Sequence, residues 1–303
     1  MLISTVRDQV AEGIRSKVAG PDRQERADLI WRAPGERWFS NDDPIVKVHG
    51  APTMYVGGIR ALLLQSLHPL AMAGVAGHSG YQDDPWGRLQ RTAEYVVTTT
   101  FARKVDVEKM IAHVRRMHSY VKGELPDGRP YAASDPHLLT WVHCAEIESF
   151  LIAYQKLSPQ PLTPPECDTY VAQTAISAKM LGVTNPPMNV KELYATLASY
   201  GPELEFSPAA ADVIDLLIDN PPLPPPMKWG YDMLKVGAIA LLPQSARTLL
   251  GLADSNDPSQ VSIQDALWRR PMVRFATAAL RRMMGEIRLP KEINEGVARN
   301  SSK

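Results

Sequence analysis

The chain has 303 residues, of which 45% are hydrophobic and 22% are charged, so it can bury a large core and has the composition of a soluble globular protein. Thirty-three basic residues balance 33 acidic ones, which argues against the basic excess that nucleic-acid binding or electrostatic membrane attachment would need. Two cysteines, Cys144 and Cys167, are too few for a disulfide framework and favour a reducing cytoplasm.

The first 44 residues are predicted to hold one amphipathic helix and the start of a loop. Apolar residues recur at helical spacing over residues 1–19, which favours a helix packed on the body of the protein over one lying on a membrane surface. Charged residues recur in the same stretch, so no signal peptide is predicted. Residues 33–52 have the character of an aromatic loop, in which Trp38 and Phe39 are expected to cover the core.

The next segment, from Val56 to about Val75, is nearly all apolar, as expected for a helix inside a large protein. Its most apolar part, residues 61–77, is interrupted by polar residues and falls short of the roughly 20 residues that a membrane-spanning helix needs. Pro69 should kink or interrupt the helix because proline lacks a backbone N–H. We therefore predict a buried core helix and no transmembrane segment.

Residues 84–123 are predicted to form two helices joined at Arg103-Lys104. The first should begin at Asp84-Pro85, because aspartate suits the N-cap and proline suits the first helical position. Three polar residues on this helix are candidates for a functional site: Arg88, Arg91 and Thr92.

The second of these helices carries two histidines with different surroundings. His118 lies on an apolar stripe that also contains Val107, Ile111, Val114 and Val121. It is therefore predicted to be buried, whereas His113 shares its face with charged residues and should meet water. A buried imidazole is either a hydrogen-bonded core residue or, kept neutral by desolvation, a metal ligand.

A turn-rich, hairpin-like loop is predicted over residues 124–134, followed by a helix from Pro136 to about Lys156. That helix has His143 on one face with Leu139, Ile147, Phe150 and Tyr154, so His143 is a second candidate buried histidine. Thr163 and Glu166 form a capping-box pattern at the start of a further helix that should reach Leu181. Shorter helices are expected near residues 190–200, 207–218, 227–241, 244–252 and 262–287.

These patterns together predict an all-α protein, a single multi-helix domain. No series of alternating strand segments and no repeat of 20–50 residues is found, and the proline run over residues 220–226 is best interpreted as a stiff connector. We expect an N-terminal helix and loop over residues 1–44, a catalytic domain over 45–255 and a C-terminal helical extension over 256–303.

The sequence lacks the common signatures of nucleotide binding, serine hydrolysis and zinc proteases. It also lacks the repeated Glu-x-x-His pairs of di-iron bundles, and the reversed pair His143 and Glu146 stands alone. An all-helical body with isolated histidines and an arginine-bearing helix suits haem, which needs one axial imidazole, an apolar slot and cations for two propionates. The alternative stays open that His118 and His143 are hydrogen-bonded core residues and that the arginines form a solvated face.

Seven ordered motifs between about residues 45 and 255 resemble one family of oxygenases. They are ALLLQSLHP at residues 61–69, GVAGHS at 74–79, DPWGRLQRT at 84–92, MHSYVKG at 117–123, YAASDP at 131–136, WVH at 141–143 and LLPQSARTLLGL at 241–252. The family includes bacterial rubber oxygenase, also called latex clearing protein, and the fungal oxygenase of the mycophenolic acid pathway.

The resemblance implies an all-helical, globin-like core that holds haem b and activates dioxygen to cleave a carbon–carbon double bond of an isoprenoid chain. In that comparison His118 resembles the proximal iron ligand, with His143 as its main alternative. Arg88, Arg91 and Thr92 resemble the distal Arg-x-x-Lys-Thr run of the rubber enzyme, with Arg91 in place of the lysine. A neutral lysine amine can ligate iron, but a guanidinium stays protonated and can only donate hydrogen bonds, for example to dioxygen, a propionate or an acidic substrate.

The rubber enzyme also uses a catalytic glutamate upstream of the distal run, and no glutamate matches it here. His68, His78 and Asp83 are the candidate proton-handling groups in its place. The expected function is that of a cytoplasmic haem b oxygenase acting on a hydrophobic, isoprenoid- or lipid-like small molecule, in a pocket lined by the helices over 56–76 and 136–156. The alternatives are a helical protein that binds a hydrophobic metabolite without chemistry, and a scaffold that has lost its cofactor.

Overall fold

The computed structural model describes residues 28–78, 85–223, 225–252, 278, 286–294 and 297. Within these residues the regular structure is helical apart from one small hairpin, so the predicted all-α fold class is confirmed. The helix predicted over residues 1–19 and nearly all of the one over 262–287 lie outside the described residues.

Among the described residues, five α-helices precede the hairpin: α1 Pro44–His49, α2 Met54–Gln65, α3 Pro69–His78, α4 Pro85–Phe101 and α5 Lys104–Tyr120. Strands β1 Lys122–Glu124 and β2 Pro130–Ala132 form an antiparallel pair in which Gly123 faces Tyr131. Between the hairpin and residue 252 lie α6 Pro136–Leu157, α7 Pro164–Leu181, α8 Val190–Ser199, α9 Pro208–Ile214, α10 Pro225–Leu241 and α11 Gln244–Leu249. Shorter turns occupy Asp28–Arg32 and Asp215–Asp219, which are π-helical, and Gly201–Glu203, which is 3-10 helical. Every helix among the described residues is too short or too polar to span a lipid bilayer.

Local sequence signals set most helix boundaries where they were predicted. Asp135 accepts a hydrogen bond from the backbone N–H of His137 at the start of α6, at 2.8 Å. Thr163 and Glu166 form the predicted capping box of α7. One expectation is wrong, because part of the loop predicted over residues 33–52 is helix α1, which begins after Asp43 and buries Ile45, Val46 and Val48.

The predicted break at Pro69 is confirmed, since α2 ends at Gln65 and α3 begins at Pro69. The break leaves backbone carbonyl groups that the helix itself does not satisfy. The hydroxyl of Ser66 donates to the carbonyl oxygen of Leu63 at 2.8 Å. The backbone N–H of Glu205 donates to the carbonyl oxygen of Leu67 at 2.8 Å. A distant segment of the chain therefore completes the hydrogen bonding at this break.

Helix α6 lies between two apolar clusters and contributes residues to both. One cluster joins α6 to α1, α4, α5 and α7 through residues that include Val48, Val96, Ile111, Ile147 and Tyr170. The other joins it to α2, α9, α10 and α11 through residues that include Val56, Leu63, Trp141, Val213 and Ala238. The first cluster also contains Ile30, Phe39 and Leu289, so segments on either side of residues 45–255 pack on the same core.

The faces of α2 and α6 that meet are closely packed. A methyl group added at Gly57 would lie 2.8 Å from Cδ1 of Phe150 and 3.1 Å from the carbonyl oxygen of Ser149. This contact leaves no room for a ligand at Gly57 itself. The pocket that we expect the helices over 56–76 and 136–156 to line remains a prediction.

A buried ion pair fixes the same interface. The Arg60 guanidinium on α2 pairs with the Glu148 carboxylate on α6, and their side chains are 1% and 6% exposed. Arg60 also donates to Oγ of Ser149 at 2.6 Å and to the carbonyl oxygen of Leu241 on α10 at 2.9 Å. One side chain thus connects three helices.

The junction between α4 and α5 is held by Arg37, a buried arginine in the preceding loop. Its Nε donates to the carbonyl oxygen of Phe101, the last residue of α4, at 2.9 Å. One of its terminal nitrogens, Nη2, donates to the carbonyl oxygens of both Ile30 at 2.8 Å and Ala33 at 3.0 Å. The backbone N–H of Lys104 donates to the carbonyl oxygen of Glu36 at 2.8 Å, so both sides of the junction are tied to this loop.

Candidate functional site

Three helices, α4, α5 and α6, meet at one apolar cluster through Val96, Ile111 and Ile147. The predicted site residues lie close to these positions along each helix. Arg91 and Thr92 are about one turn from Val96, His143 is one turn from Ile147, and His118 is two turns from Ile111. The structure therefore places the predicted residues on helices that share a packing centre.

His118 and His113, both on α5, have the surroundings that the sequence predicts in relative terms. Val107 and Ile111 of the stripe are buried, and His118 is half-buried with its Nδ1 shielded from solvent. It is less buried than predicted because α5 ends two residues later, at Tyr120. His113 is exposed, with Nδ1 3.4 Å from a terminal nitrogen of Arg116.

His143 on α6 is half-buried as a residue, but its Nε2 is shielded from solvent and has no hydrogen-bond partner in the described part of the chain. Burial lowers the pKa of His143 to about 4, so the ring is neutral at pH 7. A hydrogen-bonded core histidine would satisfy that nitrogen. His143 therefore does not fit the alternative interpretation of a hydrogen-bonded core histidine, because its Nε2 is not hydrogen-bonded to any described group.

The satisfied core histidine among the described residues is one that the sequence did not single out. His49, on α1, has Nδ1 2.7 Å from the Thr100 hydroxyl and Nε2 3.2 Å from the Tyr170 hydroxyl. Burial lowers the pKa of His49 to about 3. The two histidines share a neutral charge state and differ in their hydrogen bonding.

Glu146 follows His143 by one turn on the same side of α6. Burial raises the pKa of Glu146 to about 7, far above the usual range of a glutamate. Burial also raises the pKa of Tyr95 on α4, and the Glu146 charge adds to that effect, so the two groups lie within electrostatic range. The sequence shows the His143 and Glu146 pair but not the burial of the glutamate; the available signal was its position beside Ala145 and Ile147, which the structure buries.

The distal candidates on α4 are less enclosed. Arg91 and Thr92 are exposed, and Tyr95 follows them by about one turn. The side chains of Arg88 and His78, and all of Asp83, lie outside the described residues. Helix α4 has its main contacts with α1, α5 and the turn Asp28–Arg32.

His68, a candidate proton-handling residue, lies at the break between α2 and α3. It is 1% exposed, and its Nε2 is 3.4 Å from Oε2 of Glu203. Its ring lies 6.0 Å from the rings of Trp141 and Tyr200, between centroids. Burial lowers the pKa of His68, an effect that the Glu203 charge opposes.

The residues around His143 fit a haem group in their chemistry. A neutral imidazole is the form that binds haem iron, and Nε2 of His143 is a buried nitrogen that no described protein group satisfies. The shared apolar cluster supplies a hydrophobic wall, and Arg91 supplies an exposed cation for a propionate. His118 offers a second imidazole whose Nδ1 is shielded from water.

The comparisons with known proteins give one match. Residues 46–282 match the family model described as "ER-bound oxygenase mpaB/B'/Rubber oxygenase, catalytic domain". Neither a curated protein nor a solved structure matches the chain. The matched range covers more than three quarters of the sequence and contains every candidate residue discussed above.

Proposed function

The chain belongs to the MpaB and rubber oxygenase catalytic domain family, and on that premise we propose that it is a haem b-dependent oxygenase acting on a hydrophobic, isoprenoid- or lipid-like small molecule. Oxygenase chemistry, with dioxygen and a small-molecule substrate, follows from the family. Haem b, the substrate class and the residue roles are proposed from the candidate site.

The observation that carries the proposal is the solvent-shielded nitrogen of His143, together with the shielded nitrogen of His118 on a helix of the same cluster. His118 is assigned as the residue that would ligate the haem iron, because it lies on the apolar stripe of α5 and matches the iron-ligating histidine of the resemblance. His143 is assigned as the second haem-contacting histidine and as the alternative ligand. When bound, the haem would supply an iron centre at which dioxygen is activated.

Glu146 is assigned as the proton-handling group, in place of the glutamate that the sequence motifs do not supply. With its pKa at about 7, it is present in both protonation states near neutral pH, which suits a group that gives up or takes a proton. The raised pKa of Tyr95 keeps that phenol protonated and able to donate a hydrogen bond. The two groups would therefore complement each other, Glu146 in exchanging a proton and Tyr95 in donating a hydrogen bond.

Arg88, Arg91 and Thr92 are assigned to binding and orientation. A guanidinium remains protonated at any physiological pH, so Arg91 cannot ligate iron and would instead attract a carboxylate, such as a haem propionate or an acidic group of the substrate. Thr92, on the same exposed turn of α4, offers a hydroxyl that can donate or accept.

The hydrophobic substrate class rests on helix α3. Its residues are small and apolar, and Ala71, Ala73, Gly74 and Val75 are only partly buried. Gly74 lies against Val121, which precedes β1, and Tyr131, which lies in β2. Partly exposed small apolar residues offer contacts to a hydrocarbon chain and few partners to a polar substrate.

Haem reconstitution of three single variants tests the ligand assignment. We expect the wild-type chain to show a Soret band, His118→Ala to lose it, and the exposed control His113→Ala to keep it, as measured by ultraviolet–visible spectroscopy after removal of free haem. Equal retention in His118→Ala and His113→Ala removes His118 from the axial role. Loss in His143→Ala alone transfers that role to His143, and a wild-type chain without a Soret band contradicts haem binding.

A second candidate function is a helical protein that sequesters a hydrophobic metabolite without chemistry. The substitution of arginine for the distal lysine, at Arg91, favours it because that position loses a group able to ligate iron. Oxygen consumption by the haem-loaded protein, with a reductant and isoprenoid hydrocarbons, separates the two. Uptake that depends on the hydrocarbon supports the oxygenase, and binding without uptake supports the carrier.

A further inference from the structure

Two histidines and one glutamate converge outside the proposed haem site, where the break between α2 and α3 meets the start of α6 and the 3-10 turn Gly201–Glu203. The ligand atoms of His68, His137 and Glu203 all lie within 4.8 Å of one another. Nε2 of His137 is 2.8 Å from Oε2 and 3.0 Å from Oε1 of Glu203. Nε2 of His68 is 3.4 Å from the same Oε2 atom.

His68 is the observation that points to a ligand. Its side chain is 1% exposed, and neither of its ring nitrogens has a hydrogen-bond partner in the described part of the chain. Leaving a buried polar atom unsatisfied is unfavourable, so native structures normally pair such atoms or bind something to them. The ring is aimed at the Glu203 carboxylate but lies too far from ideal geometry to count as hydrogen-bonded.

The neighbouring tyrosine fixes how His137 presents its nitrogens. The Tyr200 hydroxyl donates to the carbonyl oxygen of His137 at 2.8 Å, and Nδ1 of His137 lies 3.3 Å from the same hydroxyl. The Tyr200 hydroxyl thus contacts both the carbonyl oxygen and Nδ1 of His137 and holds the ring with Nε2 directed at the two carboxylate oxygens of Glu203. A metal ion could replace the proton that lies between Nε2 and the carboxylate.

We propose that His68, His137 and Glu203 form a binding site for one divalent transition-metal ion of the zinc class. Two imidazoles and one carboxylate are a common set of protein ligands for such ions, with water in the remaining position. Metal-to-ligand distances near 2.1 Å in a tetrahedral site imply ligand-to-ligand separations of about 3.4 Å. The His68 to Glu203 distance already has that value, and the His137 to Glu203 contact needs to open by only about half an ångström.

A metal at this position would connect three parts of the fold. His68 lies at the break before α3, His137 lies in the first turn of α6, and Glu203 closes the 3-10 turn. Their side chains leave an approach from solvent, since His137 is 50% exposed and Glu203 is 39% exposed. The site is independent of the haem proposal, because none of its residues is assigned a role there.

Zinc titration of tag-free, chelator-treated protein by isothermal calorimetry tests the site. We expect one zinc ion per wild-type chain and a zinc-dependent rise in the thermal unfolding temperature. His137→Ala and Glu203→Gln should each weaken zinc binding by about 100-fold or more and abolish the thermal shift. Both side chains are substantially exposed, so the variants should fold, which circular dichroism would establish. The matched control His113→Ala, an exposed histidine of α5, should bind zinc like the wild type.

Two results would overturn the site. The first is a wild-type chain that shows no saturable zinc binding. The second is a His137→Ala or Glu203→Gln variant that folds and keeps the wild-type affinity, which would place the bound zinc elsewhere.

Discussion

At the scale of single residues, Glu146 links the candidate chemistry to the stability of the fold. Its carboxyl group titrates near 4.5 in an ordinary setting and at about 7 where it is buried on α6. The folded chain therefore binds more protons than the unfolded chain between these two pH values, so this residue lowers the free energy of unfolding as the pH rises through that window. A group that destabilises the fold at neutral pH is typical of functional sites.

Replacement of Glu146 by glutamine should remove this pH-dependent loss in the free energy of unfolding. We expect the free energy of unfolding of Glu146→Gln, relative to the wild type, to rise by on the order of 3 kcal/mol between pH 4.5 and pH 8, because the amide does not titrate. Urea denaturation at a series of pH values measures the difference. Glu124→Gln, an exposed glutamate of the hairpin, should show no comparable trend. A difference that is independent of pH would mean that Glu146 is solvated in the folded chain.

Residue-scale chemistry was only partly visible in the sequence. The stripe on α5 separated His118 from His113 because helical spacing alone sorts residues by face. Glu146 was passed over because the burial of a charged residue depends on what packs against it. His68, His137 and Glu203 are separated by more than sixty residues in each step, so no spacing rule could group them.

At the scale of elements, the contact between α2 and α6 depends on one of two adjacent glycines. A methyl group at Gly57 would collide with Phe150, whereas a methyl group at Gly58 would meet nothing within 4 Å. The glycines are otherwise alike, since both lie inside α2 and neither has a positive φ. The pair therefore separates packing from helix propensity.

Alanine at these two positions should have opposite effects. We expect Gly57→Ala to lower the free energy of unfolding by about 1–3 kcal/mol through overpacking. Gly58→Ala should raise it by about 0.5–1 kcal/mol, because alanine is the better helix former. Thermal and urea unfolding of both variants would check this. Similar effects of the two substitutions would contradict the close approach of α2 to α6.

Most helices were predictable because residues close to their ends determine where they begin and end. Pro69, the capping box at Thr163 and the Asp135-Pro136 start each act within a few residues. Helix α1 was missed because six residues are too few to display a helical period. The pocket expected to be lined by the helices over 56–76 and 136–156 remains a prediction, since apolar residues indicate burial without showing whether the partner is a ligand or another helix.

At the scale of the whole molecule, the Arg60 and Glu148 pair holds α2, α6 and α10 in register. Because both charges are buried, removing one leaves the other without compensation. We expect Glu148→Gln to cost about 3–5 kcal/mol of stability, a large share of what a domain has in total. The double variant Arg60→Met with Glu148→Leu should recover most of the loss, as measured by urea denaturation. A double variant no more stable than Glu148→Gln would show that the pair is not an isolated unit.

The division of the chain at residues 44 and 255 remains a prediction. The segments beyond these limits are nevertheless attached to the central helices. The Asn41 side chain exchanges hydrogen bonds with the backbone of Leu289, at 2.9 Å and 2.8 Å, and the backbone N–H of Ile287 donates to the carbonyl oxygen of Gly50 at 2.9 Å. These contacts join parts of the sequence almost 250 positions apart.

The position of Arg37 matters for the design of N-terminally truncated forms of this protein. The family match starts at residue 46, but the junction between α4 and α5 is stabilised by a residue before that point. The Arg37 guanidinium donates a hydrogen bond to the carbonyl oxygen of Phe101. A fragment that begins at residue 46 would keep every side chain proposed to contact haem. It would lose the Arg37 hydrogen bonds that stabilise the junction between α4 and α5. Such a fragment is therefore expected to be less stable than the full chain, and boundaries for expression should be drawn upstream of residue 28.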